Sequence, residues 1–181
     1  SDEDYQSLHA KAVIFGIVYG ISGFGLGENL NLNPKEAKKF IDKYLDLYPG
    51  VKRYMDEIVE EAHMFGSVRT LFGRKREIEE LQNSNYMIRN AGERIALNTP
   101  IQGTAADIMK IAMTKVNKRL KEEKLQSRIV LQVHDELLLE VPTAECEAVK
   151  TLLIDQMQSA ANLRVPLEVS VSVGNSWYET K

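Results

Sequence analysis

The sequence predicts an α+β fold, in which amphipathic helices pack on a small antiparallel sheet. Apolar residues recur at helical spacing through most of the first two thirds of the chain. Two strand-like apolar runs within 128–141 flank a polar tip, which is the pattern of a β-hairpin. Residues 167–173 alternate between apolar and polar side chains, as in a half-buried strand. We expect this strand and the hairpin to form one sheet.

The composition excludes several classes of protein. A chain of 181 residues with 44% hydrophobic and 27% charged residues is ordinary for one large globular domain or two smaller pieces. The formal net charge of −3 means that nucleic-acid binding would need a local basic surface. Cys146 is the only cysteine, which excludes an intrachain disulfide and suits a reducing cytosol. No apolar run approaches the ~20 residues of a membrane span, so we expect no membrane partner.

Residues 7–21 have a helical pattern with a distinctive polar and aromatic face. Lys11, Phe15 and Tyr19 are four residues apart, so they share one side of the helix. A cation followed by two rings is a candidate nucleotide-binding stripe, because lysine binds phosphate and rings stack on a sugar or base. A half-buried helix whose lysine extends to solvent fits the same spacing.

The next segment, 22–27, has glycine at every second position. That spacing matches neither the Rossmann fingerprint nor the P-loop, and we expect a flexible joint. Asn33, Pro34 and Glu36 then provide an N-cap, a first-turn proline and a capping-box partner, so a helix begins there. A second amphipathic helix follows and ends at Gly66. Both helices have a structural pattern.

A short strand over 67–72 leads into a basic turn. Arg69, Arg74, Lys75 and Arg76 place four cations on one small hairpin within an acidic chain. Such a cluster is a candidate site for a phosphate backbone. A solvated surface loop would have the same composition.

A long helical pattern then runs from about residue 85 to 123, with a proline at position 100 that would kink or divide it. Arg94, Asn98 and Gln102 are four residues apart and share a face if the helix continues. These side chains bind phosphates and base edges by hydrogen bonds. An ordinary polar helix face is the alternative.

The polar tip of the second hairpin consists of His134, Asp135 and Glu136. Charged groups beside an apolar core are costly, and carboxylate oxygens are the ligands that Mg²⁺ prefers. The tip is therefore a candidate cation site, although a solvated polar turn fits the hairpin equally well. A last amphipathic helix begins near Thr143.

Four blocks of this sequence, in order, resemble conserved motifs of the family A (Pol I-like) DNA polymerases. Residues 11–20 resemble motif B, and residues 132–136 resemble motif C. Between them, residues 70–76 and 92–107 are similar to the basic hairpin and to the long bent helix of that family. Any one block is a weak pattern, whereas four in order are specific.

The resemblance implies a C-terminal fragment of a template-directed DNA polymerase that acts in replication and repair. It implies a helical fingers part over residues 1–88 and the second half of the palm, with its small sheet, over 89–181. The implied partners are primer–template DNA and a deoxynucleoside triphosphate, and the complete enzyme would use two Mg²⁺ ions. The implied location is the bacterial cytoplasm, at the nucleoid.

The resemblance also gives roles to the nucleotide-binding and catalytic residues. Lys11 would contact the triphosphate, Phe15 would stack on the sugar, and Tyr19 would lie at the nascent base pair. Asp135 would be a catalytic metal ligand, with Glu136 in a supporting role. The implied catalytic set is thus Asp135, Glu136 and Lys11.

The DNA-contacting residues follow from the same resemblance. The implied minor-groove contacts near the primer end are made by Arg94, Asn98, Gln102 and His134. The basic hairpin, with Arg69, Arg74, Lys75 and Arg76, would add phosphate contacts.

Two departures from the family pattern change the expected activity. The motif A segment, which carries a second catalytic aspartate, is not found in this sequence, and one aspartate does not hold two metal ions. The family's arginine one turn before Lys11 is also absent, since Ser7 and Leu8 occupy that stretch. We therefore expect the isolated chain to be inactive, to need the missing N-terminal polymerase region as a partner, and to be open to self-association.

Two other functions compete with this one. The first is a truncated module that binds primer–template DNA without catalysis. The second is an unrelated metallohydrolase that uses residues 134–136, which is disfavoured because successive strand residues point to opposite faces.

Overall fold

The computed structural model describes residues 13–180 of the chain. These residues form two compact units, one ending at Gly103 and the other beginning at Thr104. Helices dominate, and two separate two-stranded antiparallel sheets complete the described part of the fold. The predicted α+β class is therefore confirmed. The division between fingers and palm parts after residue 88 is a functional boundary, and it stays a prediction.

The first unit contains a helical stretch at residues 13–18 followed by three longer helices. Helix α1 spans Gly23–Leu30, α2 spans Pro34–Leu47 and α3 spans Pro49–Phe65. One buried cluster joins the first stretch to α1 and α2, and it consists of Val13, Ile17, Leu26 and Ala37. Burial of these apolar side chains is the main force that holds the helices together.

Helix α1 corrects an expectation, because residues 22–27 are not a flexible joint. The Ser22 hydroxyl accepts a hydrogen bond from the Gly25 backbone N–H at 3.1 Å and caps the helix. A Cβ atom on Gly27 would lie only 2.7 Å from the Leu32 carbonyl oxygen. The glycines thus allow the following chain to lie directly against α1, which the spacing of glycines alone did not indicate.

The predicted start of α2 and the predicted end of α3 are confirmed. The Asn33 side chain accepts from the Glu36 N–H at 2.9 Å, and Glu36 accepts in return from the Asn33 N–H at 3.4 Å. Gly66 ends α3 with φ of 63° and donates its N–H to the Ala62 carbonyl.

A short hairpin follows, made of β1 (Ser67–Arg69) and β2 (Lys75–Glu77). The strand is shorter than predicted, because the chain already turns at Thr70, whose carbonyl accepts the Gly73 N–H at 2.9 Å. Helix α4 then runs from Tyr86 to Glu122 as one element of 37 residues. It continues through the proline at position 100, so that the row of polar residues predicted around it lies on a single helix.

The second unit contains β3 (Arg128–Val133), β4 (Glu136–Glu140) and α5 (Cys146–Gln158). A bulge interrupts the ladder at Val130. The hairpin packs its partly buried apolar side chains against the core formed by Val116, Leu120, Val149, Leu152 and Leu153.

The third strand expected at residues 167–173 does not form. Among the described residues, the sheet of β3 and β4 has only these two strands. An open cleft with a volume of about 1080 Å³, here called the β4 cleft, separates β4 from this segment. It is lined by residues 136–141, by residues 168–177 and by α5. Alternation of apolar and polar residues predicts which side chains are buried. It does not predict whether another strand lies about 4.8 Å away, as a hydrogen-bonded ladder requires.

Candidate functional site

Two aromatic rings lie side by side on the exposed side of the first helical stretch. The ring centroids of Phe15 and Tyr19 are 5.9 Å apart, with 28° between the ring planes. On the other side, Val13 and Ile17 are 8% and 1% exposed, whereas Phe15 is 55% exposed. This Phe15 ring is therefore not part of the core and is available to a planar ligand. Lys11 lies outside the described residues.

The end of this stretch contacts α4. Gly20 adopts φ of 73°, and a Cβ atom there would lie 2.9 Å from Leu97 Cδ1 and 3.4 Å from Arg94 Cγ. The absence of a side chain therefore allows the turn after Tyr19 to rest beside Arg94. The helical stretch that carries the aromatic pair thus meets α4 at Arg94, a proximity that the sequence did not reveal.

The polar row on α4 presents two exposed ends and a partly buried centre. Arg94 and Gln102 are exposed, and Asn98 lies between them. The Oδ1 atom of Asn98 is buried and has no hydrogen-bond partner among the described residues. Because buried acceptors are normally paired, this amide is suited to a ligand that brings a donor.

The basic hairpin carries its four cations as predicted. The ladder pairs Arg69 with Lys75 and places Arg76 opposite the buried Val68. All four side chains, including that of Arg74, are exposed. Lys75 is partly neutralised by Glu77, since its Nζ lies 2.5 Å from Oε1 of that residue.

The tip of the second hairpin is a tight turn. Val133 pairs with Glu136, so only His134 and Asp135 connect the strands. His134 adopts φ of 51°, a conformation uncommon outside glycine, and its carbonyl accepts a hydrogen bond from Gln132 Nε2 at 2.6 Å. Residues 134–136 are exposed, and the turn holds the two carboxylates at a fixed end of the strands.

The tip fits part of a magnesium site. Carboxylate oxygens of Asp135 and Glu136 are hard ligands of the kind Mg²⁺ takes. Within residues 13–180, however, no group of three or more histidine, cysteine, aspartate or glutamate side chains could hold a metal ion. The tip carboxylates could therefore form only part of a coordination shell, which argues against a self-contained metallohydrolase site among the described residues.

Comparison with known proteins decides the family. The family model for DNA polymerase family A matches residues 3–179. This chain belongs to DNA polymerase family A. The DNA polymerase I of Bacillus caldotenax is 54% identical over 172 residues, and that of Geobacillus stearothermophilus is 52% identical over 184 residues. These alignments cover 95% and 100% of the chain.

The family relation extends to the fold. The polymerase domain of Pol1 from M. smegmatis, solved in complex with DNA primer-template and dNTP, matches with a TM-score of 0.91 and 45% identity. The match covers 95% of this chain and 30% of that one. The chain spans about one fifth of the length of the two polymerase relatives named above. None of the helices between residues 13 and 180 is long and apolar enough to span a membrane.

Proposed function

We propose that this chain is the part of a template-directed DNA polymerase that binds the incoming nucleotide, reads the primer–template and supplies one catalytic carboxylate. The observation that carries the proposal is the surface of the first unit. There Phe15 and Tyr19 stack on one helical stretch, and Gly20, the residue after Tyr19, lies beside Arg94 at one end of a hydrogen-bonding row. Stacking surface beside groups that bind phosphates and base edges suits a nascent base pair.

Each proposed role matches the chemistry of its residue. Lys11 binds the triphosphate, Phe15 stacks on the sugar and Tyr19 lies at the nascent pair. Arg94, Asn98, Gln102 and His134 contact the minor groove, where the acceptors of the bases suit neutral and cationic donors. The hairpin cations Arg69, Arg74, Lys75 and Arg76 add phosphate contacts.

The metal chemistry follows from the carboxylates. Asp135 is the proposed ligand of Mg²⁺, and Glu136 supports it. Bound divalent ions would activate the primer 3′ oxygen and stabilise the leaving pyrophosphate. The chain itself orients the nucleotide and balances negative charge with Lys11. A polymerase of this type acts where the DNA is, which in a bacterial cell is the nucleoid in the cytoplasm.

The proposed partner of the second unit is an N-terminal polymerase region outside this sequence. Among residues 13–180, the outer edge of β4 is unpaired, and every residue from 136 to 141 lines the β4 cleft. The opposite wall is the extended segment 168–174. An incoming strand would pair with this exposed edge by β-augmentation. A strand that ends near the hairpin tip would bring the second carboxylate beside Asp135.

The first prediction tests the role of Asp135. The homologous region of the B. caldotenax enzyme is replaced by this chain, and Asp135→Asn is compared with Asp155→Asn, an exposed carboxylate on α5. Loss of the ligand charge should lower primer extension about a thousandfold or more. Primer–template affinity should stay within about twofold, and the Asp155 variant should extend normally.

Three results would contradict the proposal or part of it. Undiminished synthesis by the Asp135→Asn chimera would remove Asp135 from catalysis. An unmutated chimera that binds primer–template without extending it would favour the alternative, a non-catalytic DNA-binding module. Extension by the isolated chain would show that the metal site is complete without a partner.

A further inference from the structure

The basic hairpin is hydrogen-bonded to α4 at the point where the helix contains proline. The Arg76 Nη1 donates to the Thr99 hydroxyl at 3.3 Å, and that hydroxyl donates to the Ile95 carbonyl at 2.7 Å. Thr99 is only 6% exposed. The next residue, Pro100, has no N–H for the helix ladder, so the helix is weakest here. The Arg76 side chain therefore binds α4 at the turn where proline has removed a backbone hydrogen bond of the helix.

A second contact lies one turn further along the helix. The Arg74 Nη2 donates to the Gly103 carbonyl at 3.1 Å, and the Arg74 backbone N–H donates to Thr70 Oγ1 at 3.1 Å. A Cβ atom on Gly103 would lie 2.7 Å from Thr70 Cγ2. The hairpin thus touches the helix with no space for an added methyl group.

Each α4 residue in these contacts directly follows a member of the polar row formed by Arg94, Asn98 and Gln102. Thr99 follows Asn98, and Gly103 follows Gln102. We infer that Arg74 and Arg76 are positioning residues, which fix the part of α4 that carries Asn98 and Gln102. The inference rests on the proposed function, because it concerns how that row is aimed at the primer–template. Both side chains remain exposed, so a phosphate contact is compatible with this role.

A role of these arginines in binding phosphate can be tested separately from a role in positioning α4. A phosphate contact needs only a positive charge, which lysine supplies as well as arginine. The hydrogen bond to Thr99 Oγ1 comes from Nη1 at the end of a guanidinium that is longer and more rigid than a lysine side chain, so lysine keeps the charge without keeping this geometry. Thr99 is neutral, so its replacement by valine removes the acceptor and leaves the charge of the hairpin unchanged.

The decisive experiment is a double-mutant cycle in the full 181-residue chain. Arg76→Ala, Thr99→Val and the double variant are titrated with primer–template at several salt concentrations. Thr99→Val should bind about fivefold more weakly, and Arg76→Ala at least as weakly, because it also loses the proposed phosphate contact. The double variant should bind no more weakly than Arg76→Ala alone. Arg76→Lys should bind no better than Thr99→Val, and Thr99→Val should leave the salt dependence unchanged.

Thr114→Val is the matched control on the same helix. The Thr114 hydroxyl donates to the Lys110 carbonyl at 2.9 Å, which is the same bond that Thr99 makes to the carbonyl four residues earlier. Thr114 is exposed whereas Thr99 is buried, so this variant controls for loss of the intrahelical bond and not for burial. Normal binding by Thr114→Val would show that loss of such a bond does not by itself weaken binding, and the double-mutant cycle then assigns the Thr99→Val effect to the hairpin contact.

Two substitutions that change side-chain size test the close approach of Thr70 to Gly103. Gly103→Ala should weaken binding by forcing the hairpin from the helix, although alanine favours helix formation. Adding Thr70→Ser removes the obstructing methyl but keeps the hydroxyl that accepts from Arg74, and binding should return. Failure of the serine variant to restore binding would overturn this contact as a positioning element.

Hydrogen exchange in the absence of DNA separates failure of this inference from failure of the proposed function. Amides of residues 95–103 should exchange faster in Thr99→Val and Gly103→Ala, and at the original rate in Gly103→Ala with Thr70→Ser. If the unmutated chain has no affinity for primer–template, the proposed function fails while this test still applies. Binding and exchange unchanged in Thr99→Val, with affinity restored by Arg76→Lys, would overturn the positioning role.

Discussion

The Glu145 carboxylate accepts three hydrogen bonds from the loop between α4 and β3. Glu145 Oε1 accepts the Gln126 N–H at 2.9 Å, and its Oε2 accepts the Ser127 N–H at 3.0 Å and the Ser127 hydroxyl at 2.5 Å. The Gln126 backbone bond, followed by the Ser127 hydroxyl bond, holds the pKa of Glu145 below its ordinary value. The ionised form is therefore the one that stabilises the folded second unit.

The pH dependence follows from that direction. Since the folded pKa is lowered, the stabilisation is fully present above the ordinary pKa of 4.5 and is lost as the pH falls through the lower folded value. Glu145→Gln should reduce the melting temperature more at about pH 7 than at about pH 3. Glu147→Gln, which removes an exposed partner of Lys150, is the control and should change little. An equal loss at both pH values would show that charge is not the cause.

At the scale of the element, local signals in the sequence were reliable where a helix begins or ends. The capping box of α2 is one case, because both of its hydrogen bonds lie within four residues of each other. The i, i+4 spacing on α4 is another, since the helical period alone fixes a shared face. These features need no knowledge of the rest of the chain.

Loss of the α2 cap gives a prediction at this scale. Asn33→Ala removes the acceptor for the Glu36 N–H and should destabilise the helix by about 1 kcal/mol. Hydrogen exchange of the α2 amides measures the effect, with the exposed Lys39→Ala as the control. Equal exchange in the Asn33 variant and the unmutated chain would mean that α2 is held by tertiary packing alone.

At the scale of the whole molecule, the two units have separate cores. The first unit holds the clusters around Ile17 and Val68, and the second holds the cluster around Val116. Val68 and Val116 are both 0% exposed. Distant sites without shared partners contribute additively to stability, so each core should respond to its own truncation.

Truncation of the second core tests this separation. Val116→Ala should cost about 2 kcal/mol, because it removes two buried methyl groups and leaves a cavity. Faster hydrogen exchange should follow in β3, β4 and α5, with β1 and β2 unaffected. The reverse pattern is expected for Val68→Ala. Equal acceleration throughout the chain would instead indicate one cooperative unfolding transition.

Contacts between distant segments set the limit of what the sequence predicted. The fold class, the second hairpin and the rows on the first helix and α4 followed from spacing. The closeness of Gly20 to Arg94 and of Arg76 to Thr99 did not, because no local pattern encodes which elements meet. The same limit explains the error at residues 167–173, where burial alternates as far as residue 172 but Val173 is 58% exposed, and the pairing edge was not predictable.

The single thiol of the chain lies on the wall of the β4 cleft. Cys146 is half-buried, and its Sγ lies 3.9 Å from the Pro142 carbonyl oxygen. A fluorescent maleimide would therefore attach at one known position without any engineered thiol. A change in its emission would report that the cleft is filled, whether by another part of a polymerase or by a second copy of the chain.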